Sequence, residues 1–265
     1  MLALHAITKT FAPRTANEVR ALDGVSLTLD EGDFVTVIGS NGAGKSTLLK
    51  TIAGLIFPDA GKVLLNGRDI TAAPVHLRAG DIGRIAQDPQ ESTCASMSLA
   101  ENLAMAVQRG RARGLRQAVT LQRRKDFRAR LAEVGLGLQD RLDARIGTLS
   151  GGQRQAVALL MATLAHPRLL LLDEHLASLD PRTGAAVMEL TGKLVGAGRL
   201  TTLMVTHNMT EAIRWGNRLV MMHAGKIIFS VEGAAKASLT VGELVARFHT
   251  ASGEEFSDDR MLLSL

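Results

Sequence analysis

Tyrosine is absent from this sequence, tryptophan occurs once, and all aromatic residues together make up 3% of the 265. A platform on which nucleobases stack in succession is hard to build from so few rings, so the net charge of +5 does not by itself point to nucleic acid. Cysteine also occurs once, as Cys94. An internal disulfide is therefore excluded, which suits a reducing compartment. No apolar run approaches the roughly eighteen residues needed to cross a bilayer. The opening Met-Leu-Ala-Leu-His-Ala-Ile lacks the basic region and long apolar stretch of a secretory signal. The expectation is a chain that stays inside the cell. His5, His76, His166, His223 and His249 show no metal-ligand spacing. Cys94 and Trp215 are read as packing residues.

What is present describes a soluble globular chain with a sizeable core: 46% hydrophobic residues and 22% charged. Much of the basic excess lies between Arg109 and Arg130, where Arg111, Arg113, Arg116, Arg123, Arg124, Lys125 and Arg128 meet one acid, Asp126. A solvated helical face accounts for that run. A surface beside anionic lipid headgroups is the second reading, and nucleic acid the third. Apolar alternation predicts strands at Leu2–Ala6 and Val25–Leu29, with a looser stretch from Pro13 to Arg20 between them. Short apolar runs at Val63–Leu65, Ile82–Ala86, Leu169–Leu172 and Thr201–Val205 predict further strands, and Leu219–Phe229 a closing hairpin. From Ser92 to about Ile146 the pattern turns helical, with a capping box at Ser98–Glu101 and an amphipathic helix through Phe127, Leu131 and Val134. Helices are also expected at Gln153–Ala165, after Asp180-Pro181, at Asn208–Trp215 and after Thr240. Strands alternating with helices argue for an α/β fold with a mainly parallel sheet. The stretch from 251 to 265 turns polar and acidic and reads as a tail.

One stretch carries chemistry on its own. Phe34-Val-Thr-Val-Ile38 runs into Gly39, Ser40, Asn41, Gly42, Ala43, Gly44, Lys45 and Ser46, with Thr47 next, and then into Leu48, Leu49 and Ile52 at helical spacing. Strand, glycine turn and helix are the context that G-x-x-x-x-G-K-[ST] requires. Glycines let the backbone curl round an anion, so that successive N–H groups and a helix N-terminus point at phosphate oxygens. Lys45 is placed to reach the β- and γ-phosphates, and the Ser46 hydroxyl to ligate Mg²⁺. Farther on, Leu169–Leu172 delivers Asp173 and Glu174 at the C-terminal end of an apolar strand, where ligands of open α/β sheets bind. Asp173 then completes the Mg²⁺ shell, and Glu174 accepts a proton from the attacking water or orients it.

A second glycine pair opens another helix: Leu149, Ser150, Gly151, Gly152, Gln153, Arg154 and Gln155. Serine N-cap, flexible N–H groups and a positive helix end make this an anion site too. This heptad matches the signature motif of the ATP-binding cassette (ABC) ATPases. With the phosphate loop before it and Asp173-Glu174 after it, the sequence closely resembles that family from about Leu2 to Phe248.

The resemblance implies a P-loop ATPase fold with an N-terminal antiparallel β part and a helical subdomain inserted at about 92–147, all within an ATPase domain spanning 1–250. It implies ATP as substrate and a head-to-tail pair of subunits. Each ATP then lies between one subunit's phosphate loop and the other's Ser150, Gly151, Gly152 and Gln153. Gln87 resembles the glutamine that reaches Mg²⁺ and water while sensing the membrane partner. Ser178-Leu179-Asp180 resembles the loop that communicates between the two sites, and His207 the switch histidine that contacts the γ-phosphate and positions Glu174. Phe11, by its place in the N-terminal β segment, is the adenine-stacking aromatic; the alternative is a core phenylalanine.

Two departures from the common pattern are Ser40, where many members have proline, and His175, where proline or alanine is commoner. Asp173-Glu174-His175, Met161-Ala162-Thr163 and Thr206-His207-Asn208-Met209 resemble the ATPase component of a group of bacterial solute importers. Such a component sits on the cytoplasmic face of the inner membrane, with a separate permease, a solute-binding protein and no nucleic acid partner. An exporter subunit and a soluble ABC ATPase of iron–sulfur cluster assembly are the rival readings. A DNA-repair or chromosome ATPase needs a long coiled-coil or zinc-bearing insertion, for which the sixty or so residues between Gln87 and Leu149 leave no room.

Overall fold

In the computed structural model, the described residues are 1–252 except 112, 113 and 116. The tail from 253 on and two of the arginines named above, Arg113 and Arg116, lie outside them; the first two residues of the expected 251–265 tail belong to the last helix. Along the chain, the first compact unit contains β1 (Leu2–Phe11), β2 (Val19–Leu29), β3 (Phe34–Gly39), α1 (Lys45–Ala53), β4 (Ala60–Leu65), β5 (Arg68–Asp69) and α2 (Val75–Arg78). A second unit, Ala79–Leu200, follows with β6 (Ile82–Ile85), α3 (Pro89–Ser92), α4 (Leu99–Val107), α5 (Leu121–Val134), α6 (Gly151–Thr163), β7 (Leu169–Asp173) and α7 (Pro181–Gly198). The chain then returns to the first unit with β8 (Thr201–Val205), α8 (Met209–Arg214), β9 (Arg218–His223), β10 (Lys226–Glu232), α9 (Gly233–Ala237) and α10 (Val241–Ser252).

In the first unit, β2, β1, β4 and β5 form an antiparallel sheet in that order. Strand β3 pairs in parallel with β8 on one side and β9 on the other, and β10 closes antiparallel on β9. All six residues of β3 and all five of β8 are buried, which is why they read as β-branched and apolar runs, with threonine the one polar type, rather than as alternating ones. Residues of α8, β9 and α10, among them Met209, Leu219, Leu244 and Phe248, share one core with Ile38 of β3. The chain is α/β, with an antiparallel sheet, and parallel pairs predominate among the other strands.

A polar clamp holds α8 in place. Lys236 is only 2% exposed, and its ammonium donates to the carbonyls of Ile213 (2.6 Å), Trp215 (2.7 Å) and Gly216 (3.0 Å). These lie at the C-terminal end of α8, where carbonyls lack helical partners and a cation is favoured by the helix dipole. Thr36 of β3 adds a fourth bond, its hydroxyl donating to the Ala212 carbonyl at 2.9 Å. Lys236→Met keeps the stem and removes the donors, so it is expected to destabilise the protein by about 3 kcal/mol. A drop in the urea unfolding midpoint reads that loss, and an unchanged midpoint counts against the clamp.

In the second unit β6 and β7 run parallel, Ile82 opposite Leu169. Leu169 to Leu172 are each 0% exposed, and each contributes about 2 kcal/mol of burial. Ser98 caps α4 with the expected box: its hydroxyl accepts from Glu101 N–H, and Glu101 accepts from Ser98 N–H at 2.7 Å. The block from 92 to 146 is less helical than its pattern suggests. Helix covers 99–107 and 121–134, while 135–145 passes through turns that still bury Leu138 and Leu142 beside Phe127 and Leu131. Apolar spacing alone does not separate a helix from a turn that packs on one. Of the 14 residues of α5 only Phe127 and Leu131 are buried, so its arginines form an outer face, where Arg124 pairs with Asp143 at 2.6 Å.

Candidate active site

The phosphate loop leaves β3 at Gly39 and enters α1 at Lys45. Three of its positions require glycine, with φ of 153° at Gly39, 79° at Gly42 and 95° at Gly44. A Cβ on Gly39 would fall on the Met222 carbonyl, and one on Gly44 on the Ala21 carbonyl. The cradle therefore exists because two side chains are missing. Lys45 is 6% exposed, and its ammonium donates to the carbonyls of Gly39 (2.7 Å) and Ser40 (3.0 Å). The cation is thus folded back across the loop, which keeps the ring of backbone closed. Gly44 is the N-cap of α1 and supplies no side-chain cap, so no capping oxygen of its own stands where an anion would bind. Ala43 is buried, Asn41 and Gly42 are exposed, and Ser46 and Thr47 are half-buried in the first turn of α1.

In the second unit, Asp173 ends β7 and is 4% exposed. Glu174 follows with φ 43°, a left-handed backbone that a side chain adopts at a cost of about 1–3 kcal/mol. Gln87, exposed just after β6, donates from Nε2 to Glu174 Oε2 at 3.5 Å, at the long end for a hydrogen bond. The parallel pairing of β6 and β7 explains that approach, because both strands end at the same edge. His175 is 2% exposed, and burial pushes its imidazole down to about 4, so the ring is neutral at pH 7.

Ser150 caps α6 through a second box: its hydroxyl accepts from Gln153 N–H at 3.3 Å, and the Gln153 side-chain carbonyl accepts from Ser150 N–H at 3.2 Å. Gln153 is thereby turned back onto its own helix end. Ser150 and Gly151 are exposed, and Gly152 is buried where a Cβ would fall on the Thr183 methyl of α7. Asp180 caps α7, accepting from Thr183 N–H at 3.0 Å, and bonds from the Thr183 hydroxyl and backbone hold its carboxyl below the usual range.

His207, in the first unit, lies half-buried between β8 and α8. Four residues on, burial raises the Glu211 carboxyl, and the nearby His207 pulls it back. Phe11 ends β1 and is 39% exposed, with the Lys9 ammonium 5.8 Å from its ring centroid. It is not a core residue.

Within the second unit, Asp173 and Gln87 offer a carboxylate and an amide oxygen, the hard donors that Mg²⁺ takes. Among the described residues no group of three or more His, Cys, Asp or Glu is arranged to hold a metal. Nor is any of their helices long and apolar enough to cross a membrane. Sequence reading passed over Lys236 and Thr191, and gave His175 no role. Nothing in their spacing marks them; only burial and partners do.

Residues 22–177 match the ABC transporter family. The chain is 39% identical over 251 residues to a tyrosine transport ATP-binding protein of Clostridioides difficile strain R20291, covering 95% of this chain and 100% of that one. It is 36% identical over 239 residues to an aliphatic sulfonates import ATP-binding protein of Nocardia farcinica strain IFM 10152, covering 89% and 82%. Among solved structures, an ATP-binding cassette captured as a dimer after hydrolysis, with ADP and phosphate bound, aligns with a TM-score of 0.75 at 28% identity over 88% of this chain and 98% of that one. By that family match and these relatives, this chain belongs to the ABC transporter family as an ATP-binding, ATP-hydrolysing subunit.

Proposed function

We propose that this cassette powers a bacterial importer of a small solute, driving a separately encoded permease from the cytoplasmic face of the inner membrane. One observation carries the pairing on which that work depends. The chain has two unlike glycine-bearing helix starts, the Lys45 loop at α1 and the exposed Ser150-Gly151 end of α6. A single γ-phosphate needs one cradle from each of two copies set head to tail, and a similar cassette has been captured as a dimer. Import is favoured over export by the relatives, one named for import of sulfonates and one for transport of tyrosine. The same names disfavour a cluster-assembly ATPase. Residues 1–250 form the working domain in this reading, with the part from about 92 to 147 as its helical insertion. The arginine-bearing face of α5 and the segment after Gln87 receive the permease, and a solute-binding protein delivers the cargo outside.

Within the site, Lys45 and the N–H groups from Gly39 to Thr47 take the β- and γ-phosphates, and Phe11 stacks on adenine. Ser46, Asp173 and Gln87 would hold Mg²⁺, which would supply neutralisation of charge on the phosphate oxygens. Glu174 takes a proton from water as the water oxygen bonds to the γ-phosphorus and the bond to the bridging oxygen breaks, leaving ADP and phosphate. His207 holds Glu174 and the γ-phosphate in register. Ser150, Gly151, Gly152 and Gln153 reach the γ-phosphate from the second copy, and Asp180 links the two sites.

Affinity purification of the tagged chain from native membranes tests the transporter reading. A polytopic membrane protein is expected to come with it and to change its ATP turnover. Recovery of a fully active soluble dimer, with no membrane subunit and no effect of membranes on turnover, would count against it.

A further inference from the structure

The left-handed backbone of Glu174 needs something to hold it, and the next residue has the means. His175 Nε2 lies 3.3 Å from the Thr191 hydroxyl, in the middle of α7, where both side chains are buried. The Thr191 hydroxyl has one hydrogen, and it is donated to the Val187 carbonyl one turn back, at 2.9 Å. Thr191 Oγ1 therefore accepts from His175, which fixes the ring as the Nε2–H tautomer. A chain of two hydrogen bonds runs from the residue beside the carboxylate into a helix of 18 residues whose N-cap is Asp180. Proline or alanine at 175 would offer no such donor.

We propose that His175 is a positioning residue for hydrolysis: its bond to Thr191 anchors the backbone of Glu174 to α7 and so aims the carboxylate at the attacking water. This rests on Glu174 as the proton acceptor. The consequence is that any shift of α7 is passed to Glu174 through a buried contact rather than through the loop of residues 176–179, where Ala177 and Ser178 are exposed. Packing alone does not need the hydrogen bond, because a valine of the same shape fills the Thr191 site equally well.

Thr191→Val and His175→Ala are the informative variants, with Thr191→Ser as the control that keeps the hydroxyl. Misaiming a base by a fraction of an ångström to an ångström costs about tenfold to a hundredfold in rate. The expected result is a kcat loss of that size in Thr191→Val and His175→Ala, with KM for ATP and the ATP dissociation constant unchanged, and recovery in Thr191→Ser. Combined with Glu174→Gln, the Thr191→Val change is expected to cause no further loss of the residual turnover, since there is no base left to aim. Unchanged kcat in Thr191→Val overturns the proposal. So does an equal loss in the presence and absence of Glu174, which is the mark of a general structural defect. Near-normal turnover of Glu174→Gln alone is a separate outcome: it removes the reading of Glu174, and this inference with it.

Discussion

Glu174→Gln is expected to bind ATP with unchanged affinity and to lose hydrolysis by a factor of about 10²–10⁴, the usual contribution of a positioned general base. The substitution keeps the shape and polarity of the side chain, and its amide oxygen still accepts from Gln87 Nε2, which reaches Glu174 at 3.5 Å. What it removes is the ability to take a proton from water. The phosphate loop keeps its own contacts, the Lys45 ammonium donating to the carbonyls of Gly39 and Ser40. ATP that binds and is not cleaved keeps two copies together, so the variant is expected to run as a dimer with ATP and as the unliganded form does without it. Single-turnover assays and size-exclusion chromatography with and without ATP report both halves. Turnover near that of the unmodified protein would remove Glu174 from the reaction.

The second large effect comes from mixing two dead proteins. Lys45→Ala loses the cation proposed to reach the phosphates, together with its two bonds to the Gly39 and Ser40 carbonyls. Ser150→Arg replaces the small, exposed cap of α6 with a bulky cation and removes the Gln153 contact, at a cost of about 1 kcal/mol to the helix end. Each alone is expected to be inactive, because both sites of its homodimer carry the same defect. A mixed dimer differs. One of its sites combines both defects, and the other combines the intact loop of one copy with the intact Ser150 end of its partner. With random pairing and independent sites, equal mixing recovers about a quarter of full activity, as the symmetry of a head-to-tail pair dictates. No recovery, with mixed pairs verified by cross-linking, would show that each copy hydrolyses ATP with its own residues only.

Much of this was legible in the chain because the chemistry is local. The phosphate loop needs glycine where φ is positive and a carbonyl stands in the way of a Cβ, and those needs are written at Gly39 and Gly44 themselves. Strands buried on both faces read as continuous apolar runs, and the caps at Ser98, Ser150, Asp180 and Thr240 are formed by residues three apart. The sequence also named the family, since those local devices come in a fixed order.

What it did not contain was any pairing between distant residues whose types are ordinary. Thr191 is one threonine in a helix, and only the packing of α7 against the end of β7 brings its hydroxyl to His175, 16 positions away. Gln87 and Glu174 are 87 residues apart and meet because β6 and β7 are parallel neighbours that end at one edge. Lys236 looks like a surface lysine in a small-residue turn until the fold sets it under the last carbonyls of α8. Local rules decide which elements form and where phosphate is held. Which side chain steadies which is decided only when the elements pack, because burial removes the water that would otherwise satisfy each group.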